Sequence, residues 1–213
     1  MWVKATIGAI PLDGFGIRGR EPKTRLHGFL GILLIGLPGS GKSTVAQALA
    51  ERFGIGVLSR DRLRESMFPM GHGAPLERRA AFRALLLALE ISILLRHPVV
   101  IDGMSLARRE DREALKRLLE RFDAPWLGLY LDCPAEVAHA RVLARRLTAA
   151  EGIAESTAPG VFACAARFDP VEPEILRLDA RQARERLIEE ACTRVRTEAE
   201  RLGLLSASPT PAG

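Results

Sequence analysis

A chain of 213 residues with 47% hydrophobic content can bury one sizeable core, and neither an internal repeat nor a mid-chain linker divides it, so one α/β domain is expected. The formal charge of +5 would suit an acidic partner, but arginines alternate with glutamates over residues 181–201, where i,i+4 pairing on a solvated helical face accounts for them. Aromatic residues at 5% argue against a surface that stacks bases, and the apolar runs near Leu85 and Leu94, broken by Arg83, Glu90 and Arg96, are too short to span a membrane.

Three widely spaced cysteines, Cys133, Cys164 and Cys192, have no C-x-x-C spacing or histidine partners, which fits reduced thiols and a cytoplasmic protein. No secretory leader is expected in the first residues. The four histidines are scattered and carry no assigned role.

Residues 1–29 hold glycines and prolines without a sustained period and are expected to form a flexible N-terminal extension. The domain proper is expected over residues 30–205, with a disordered tail at 206–213. Strands are expected at 31–36, 55–59, 98–102, 126–132 and 174–179, separated by stretches with helical spacing. Such alternation requires crossover connections and gives a parallel sheet covered on both faces. Ligands then bind outside the carboxyl ends of the strands.

The first strand, Ile32 to Ile35, runs into Gly36, Leu37, Pro38, Gly39, Ser40, Gly41, Lys42, Ser43 and Thr44, a complete G-x-x-x-x-G-K-[ST] loop. Glycines let backbone N–H groups turn inward around the β-phosphate of a nucleotide, and the next helix, expected from Thr44 to Phe53, aims its positive dipole end at the same anion. Lys42 is placed to bridge the β- and γ-phosphates, and the Ser43 hydroxyl to take one position on Mg²⁺.

The second strand ends at Ser59-Arg60-Asp61, with Arg64 one helical turn further on. A carboxylate there can align and deprotonate a hydroxyl acceptor, while an arginine fork can hold an anionic group on it. Asp61 as a helix N-cap is the alternative, and the two roles are compatible. The third strand ends in Asp102, positioned for the Mg²⁺ shell or the loop hydroxyl, or else only for opening the turn Asp102-Gly103. Arg108 and Arg109 follow at a helix start, where an anionic substrate or solvent would offset their unfavourable placement against the dipole.

After the fourth strand, Pro134 opens a helix on which Arg141 and Arg145 project from one face, with Arg146 adjacent. None has a carboxylate four residues away, so they read either as charge-neutralising groups for a transferring phosphoryl, an arginine finger in cis, or as a solvated basic face. A mobile lid over about residues 141–170 would exclude water during transfer.

The loop at Gly36–Thr44, the segment Arg60-Asp61-x-x-Arg64-x-Ser66-Met67, Asp102 with Arg108-Arg109, and the Arg141-x-x-x-Arg145 pair together resemble small phosphate-loop (P-loop, Walker A) kinases of the polynucleotide 5′-kinase type, over roughly residues 31–180. The resemblance implies a P-loop NTPase of nucleoside-kinase-like, three-layer α/β/α build, with a five-stranded parallel sheet. It implies ATP and Mg²⁺, and transfer of the γ-phosphoryl to a hydroxyl, that of a polynucleotide 5′ end or of a small molecule. By the same resemblance Asp61 is the general base, Arg64 the clamp on the acceptor's neighbouring phosphate and Arg145 the lid arginine. Ser105 and Val142 stand where the polynucleotide-acting group has asparagine, changes expected near the acceptor side, so sugars, antibiotics, nucleotide-sugars and tRNA-linked groups stay open as acceptors. A regulatory ATPase working with a protein partner is the rival, and a hydroxyl-directed Asp61 with Arg64 argues against it.

Overall fold

The structure is a computed structural model, and it describes residues 24–148 and 158–205. Strands β1 (Gly31–Ile35), β2 (Gly56–Ser59), β3 (Val99–Asp102), β4 (Trp126–Asp132) and β5 (Leu176–Asp179) form one sheet in the order β2-β3-β1-β4-β5. Every pairing is parallel. Order reverses around β1, so the loop that leaves it opens at the switch point of the sheet.

Helices α1 (Lys42–Phe53), α2 (Arg60–Met67), α3 (Pro75–Leu94), α4 (Arg109–Arg121), α5 (Ala135–Thr148), α6 (Ala158–Ala165) and α7 (Arg184–Arg201) make the crossovers and flanks. The period of two in β1 explains the three layers. Ile32 and Leu34 face a core shared with α1, α5, α6 and α7, whereas Leu33 and Ile35 face a second core shared with α3 and α4. Both sides of the strand are buried throughout, so its sequence is continuously apolar.

Element bounds depart from the sequence reading where the chain has another use for its hydrogen bonds. Strand β1 stops at Ile35, because the Gly36 N–H leaves the ladder and donates to Ser105 O at 3.0 Å. Helix α1 begins at Lys42, two residues before Thr44, since Gly41 at φ 102° is its N-cap and its carbonyl already accepts from Val45 N. Strand β5 begins at Leu176, later than 174, because the Glu172–Ile175 turn precedes it. The N-terminal boundary also shifts. His27 N donates to Leu204 O at 2.8 Å, Leu26 bridges Leu205, and Leu26 and Phe29 are buried, so residues 24–29 pack on the domain. Residues 1–23 and 206–213 and the lid's centre at 149–157 lie outside the described residues.

Candidate active site

The carboxyl ends of β1, β2 and β3 open into one cleft of about 1250 Å³. Residues Pro38 to Thr44 line its floor, and Asp61, Arg64, Asp102, Arg108, Arg141 and Arg145 line its walls. Gly36 and Leu37 do not line it. Their carbonyls instead accept from Lys42 Nζ at 2.9 and 2.8 Å, which uses two of the ammonium's three donors and leaves one for a phosphate oxygen.

Lys42 is 8% exposed, and burial pulls its pKa from 10.5 to about 8, against the opposing pull of Asp102, Cys164 and Asp61; nearby Arg145 adds to the lowering. Burial thus disfavours the ammonium's charge, which an arriving anion would favour. Gly39 (φ 88°) allows the loop to press on α5, where a side chain would meet the Ala138 carbonyl and stand 2.9 Å from Val142 Cγ2. Val142 is 3% exposed and packs under the loop. The sequence expectation that Val142 lies near the acceptor side is thereby corrected: an asparagine's amide there would replace an apolar packing contact.

Helix α2 starts directly from β2, with Ser59 as its N-cap, its hydroxyl accepting from Arg62 N at 3.4 Å. Asp61 is thus not the cap but sits in the first turn, where the positive helix end favours its carboxylate. Arg60 grips Asp61 Oδ1, with Nε at 3.0 Å and Nη2 also donating, which leaves Oδ2 for another proton donor. Arg64, 8% exposed, follows from the same helix.

Asp102 is 7% exposed, and its Oδ1 is buried without a hydrogen-bond partner among the described residues. A buried carboxylate oxygen left with open acceptor capacity fits a cation or its water shell. Ser43 is exposed at the cleft floor. No cluster of three or more His, Cys, Asp or Glu side chains suited to a metal occurs among the described residues.

Arg141 donates to Ala180 O at 2.8 Å, tying α5 to the turn after β5, while Arg145 is exposed toward the cleft. Arg146 lies outside the residues with described side chains. Arg108 reaches the cleft but pairs with Glu110 at 2.8 Å, and Arg109 turns away to Glu113 at 2.7 Å.

Several lining residues were not singled out from sequence. Arg78, Arg79 and Phe82 reach the cleft from the start of α3. The Pro75 that opens α3 was the available signal for them, since it fixes which residues form the first turns. Asp111 also lines the cleft, and burial first, then Glu110, pushes its carboxyl pKa up. Arg112 had no sequence signal. It is fully buried and spends every donor: Nε and Nη2 on Glu172 at 2.8 and 3.2 Å, Nη2 also on Pro170 O at 2.7 Å, and Nη1 on Leu106 O and Ala107 O at 2.8 and 3.1 Å. It staples the segment after β3 to the chain that returns from α6.

Residues 32–158 match the family model described as "AAA domain", which covers more than half of the chain, and the chain belongs to that family. A search of curated proteins returns no match. Among solved structures, the chain is similar to a gluconokinase from Sinorhizobium meliloti 1021, with 23% identity and a TM-score of 0.62 over 84% of this chain and 97% of that one. It is similar to a sugar kinase from Janibacter sp. HTCC2649, with 25% identity and a TM-score of 0.58 over 80% and 95%. An APS kinase from Mycobacterium tuberculosis, solved with AMPPNP and APS, aligns with 20% identity and a TM-score of 0.57 over 82% and 99%. The fold is that of the P-loop kinases, a five-stranded parallel sheet between helical layers.

Proposed function

From membership in this family, we propose that the protein is an ATP- and Mg²⁺-dependent phosphotransferase that moves the γ-phosphoryl group to the hydroxyl of an acceptor carrying an anionic group. The observation that carries this reading is the position of Asp61, on the first turn of α2, in the same cleft as the phosphate loop and Asp102. A carboxylate with one oxygen held by Arg60 is oriented for a substrate hydroxyl, which a water-activating switch would not require.

The backbone N–H groups of Gly39 to Thr44 and the N-terminus of α1 hold the phosphates of ATP, with Lys42 donating its remaining N–H to them. Ser43 and Asp102 would hold Mg²⁺, which supplies charge neutralisation across the β- and γ-phosphates. The acceptor hydroxyl gives its proton to Asp61 as its oxygen bonds to the γ-phosphorus, the bond from that phosphorus to the bridging oxygen breaks, and ADP leaves. Lys42, Arg141 and Arg145 offset the charge spread over the transferring group.

Arg64, Arg78 and Arg79 line the cleft, as do Phe82 and Met104, and in this reading the three arginines are assigned to the acceptor. Arg78 and Arg79 have no ion-pair partner among the described residues, so their charge is open to an anionic acceptor such as a phosphorylated or carboxylated hydroxy compound. A small sugar acid, a sugar phosphate and a nucleotide all meet this description. Among the described residues no helix is long and apolar enough to cross a membrane.

The test is Mg²⁺-dependent ADP release from ATP with a panel of anionic and neutral sugars, nucleosides, nucleotides, aminoglycosides and 5′-hydroxyl oligonucleotides, run alongside Asp61→Asn. Stimulation by an anionic acceptor, lost in the variant, is expected. Turnover that ignores every acceptor and survives Asp61→Asn would replace the kinase with the ATPase switch.

A further inference from the structure

Helix α3 buries only one of its faces. Ala81, Leu85, Leu89 and Ile93, four residues apart, turn inward, and the helix packs on α2, α4 and β2. The opposite face is open and mixes apolar side chains with two charges. Of the ten large apolar side chains exposed among the described residues, four lie on α3, Leu76 (77% exposed), Leu87 (59%), Ile91 (47%) and Leu94 (64%), and Leu95 (54%) follows at its C-cap. Exposed apolar side chains lined up along one helix face mark an interaction surface.

Two charges identify what covers it. Arg83, exposed, and Glu90, partly buried, lie on the same face, four residues before and three after Leu87, and neither has an ion-pair partner among the described residues. A second copy of α3 laid antiparallel across a two-fold axis at Leu87 brings each Arg83 beside the other copy's Glu90 and sets Leu94 against the small Ala80. A parallel copy would stack like charges on one another. The pattern is therefore self-complementary in one orientation only, as an isologous interface requires.

We propose that the protein forms a two-fold homodimer through the outer face of α3, centred on Leu87 and oriented by reciprocal Arg83–Glu90 pairs. A helix of 20 residues is about 30 Å long. The exposed side chains offer several hundred Å² per copy, so the total approaches the ~1,000 Å² lower bound of specific interfaces, which corresponds to a weak, concentration-dependent dimer. Neither charge lines the cleft, and the first turns of α3, with Arg78 and Arg79, reach the cleft from the same helix, so the acceptor wall would be braced by the partner copy.

The experiment is sedimentation velocity of the full chain from about 1 to about 100 µM, spanning the affinity range of weak dimers. Wild type is expected to shift from monomer to dimer, Arg83→Glu and Glu90→Arg each to raise the dissociation constant at least about tenfold, and the double reversal to restore association, since it swaps the pairs without loss. Circular dichroism and ADP release report that each variant is folded. As a check independent of charge, Leu87→Cys is expected to give a disulfide-linked dimer on mild oxidation, the native cysteines being buried. A wild type that stays monomeric throughout, as it would if residues 1–23 covered the stripe, overturns the proposal. So does a dimer unaffected by either charge reversal, or one that the double reversal fails to restore.

Discussion

Ser59 and Asp102 are register partners at the carboxyl ends of the adjacent parallel strands β2 and β3. Ser59 hands the chain to α2 and caps it, while Asp102 stays buried at the strand's end. One sheet register therefore sets Asp61, two residues beyond Ser59, near the strand end that carries Asp102, and both line the cleft with the phosphate loop.

Asp61→Asn keeps the shape and the helix-terminal position but removes the proton acceptor. ATP affinity is expected to stay near wild type while kcat falls by ~10²–10⁴. Single-turnover assays beside nucleotide titration separate the two. Unchanged turnover would remove Asp61 from its role.

Gly103 (φ 76°) is the point where the β3 turn meets α2: a Cβ there would stand 2.8 and 2.9 Å from the Asp61 and Arg60 amides and clash with Ser59 Oγ. Gly103→Ala is expected to cost ~1–3 kcal/mol of stability from strain alone and to lower kcat by moving the first turn of α2. Thermal melts read the first effect, and turnover at saturating ATP and acceptor reads the second.

Arg64→Ala is expected to raise the acceptor KM by roughly tenfold to a hundredfold, the worth of one charged hydrogen bond, with the ATP KM little changed. Arg79→Ala should act in the same direction more weakly, because its side chain is exposed. Equal increases in both KM values would put Arg64 on the nucleotide side.

Lys42 supplies a pH dependence. Its folded pKa, about 8, lies below the ordinary 10.5, so between those values the unfolded chain binds more protons than the folded one. This group alone makes the nucleotide-free protein more stable as pH rises through that window, because the cost of burying a charged ammonium is relieved. Bound triphosphate favours the ammonium and raises its pKa. ATP binding at about pH 8.5 is therefore expected to take up protons in calorimetry across buffers of different ionisation enthalpy. Lys42→Arg, charged throughout, should show no uptake from this position.

Removing Arg112 leaves Glu172, 10% exposed, with only Arg109 at 3.9 Å, and takes a donor from the carbonyls of Leu106, Ala107 and Pro170, of which Ala107 keeps Asp169 N. Arg112→Met is expected to lose ~3–5 kcal/mol and about 10 °C in Tm. A smaller loss in Glu172→Gln would fit an arginine that keeps its carbonyl partners. A variant that melts with wild type would show that the staple carries no stability.

How much was legible beforehand follows from how local each cause is. The phosphate loop, the five strands and the alternation that makes the sheet parallel were readable, because a nine-residue motif and a two-residue period are properties of neighbouring residues. The arginines at 141 and 145 were placed on one helix for the same reason, although that helix begins at Ala135 and Pro134 stands just before it, its carbonyl accepting from Ala138 N. Arg112 was invisible: its partners lie 58 to 60 residues away at Pro170 and Glu172, and nothing in its own neighbourhood separates it from the solvated arginines of α4.

By itself, the sequence determined that this chain folds as a P-loop α/β domain and that strand ends deliver Lys42, Asp61 and Asp102. Periodicity and turn chemistry act within a few residues and need no partner to be read. Only tertiary structure decided that Val142 packs beneath the loop, that Ser59 rather than Asp61 caps α2, that Arg108 is answered by Glu110 while Arg78 faces the cleft open, and that α3 keeps an apolar side outward. Those outcomes depend on which elements become neighbours when the sheet orders itself β2-β3-β1-β4-β5, and burial and charge pairing belong to that arrangement rather than to any stretch of chain.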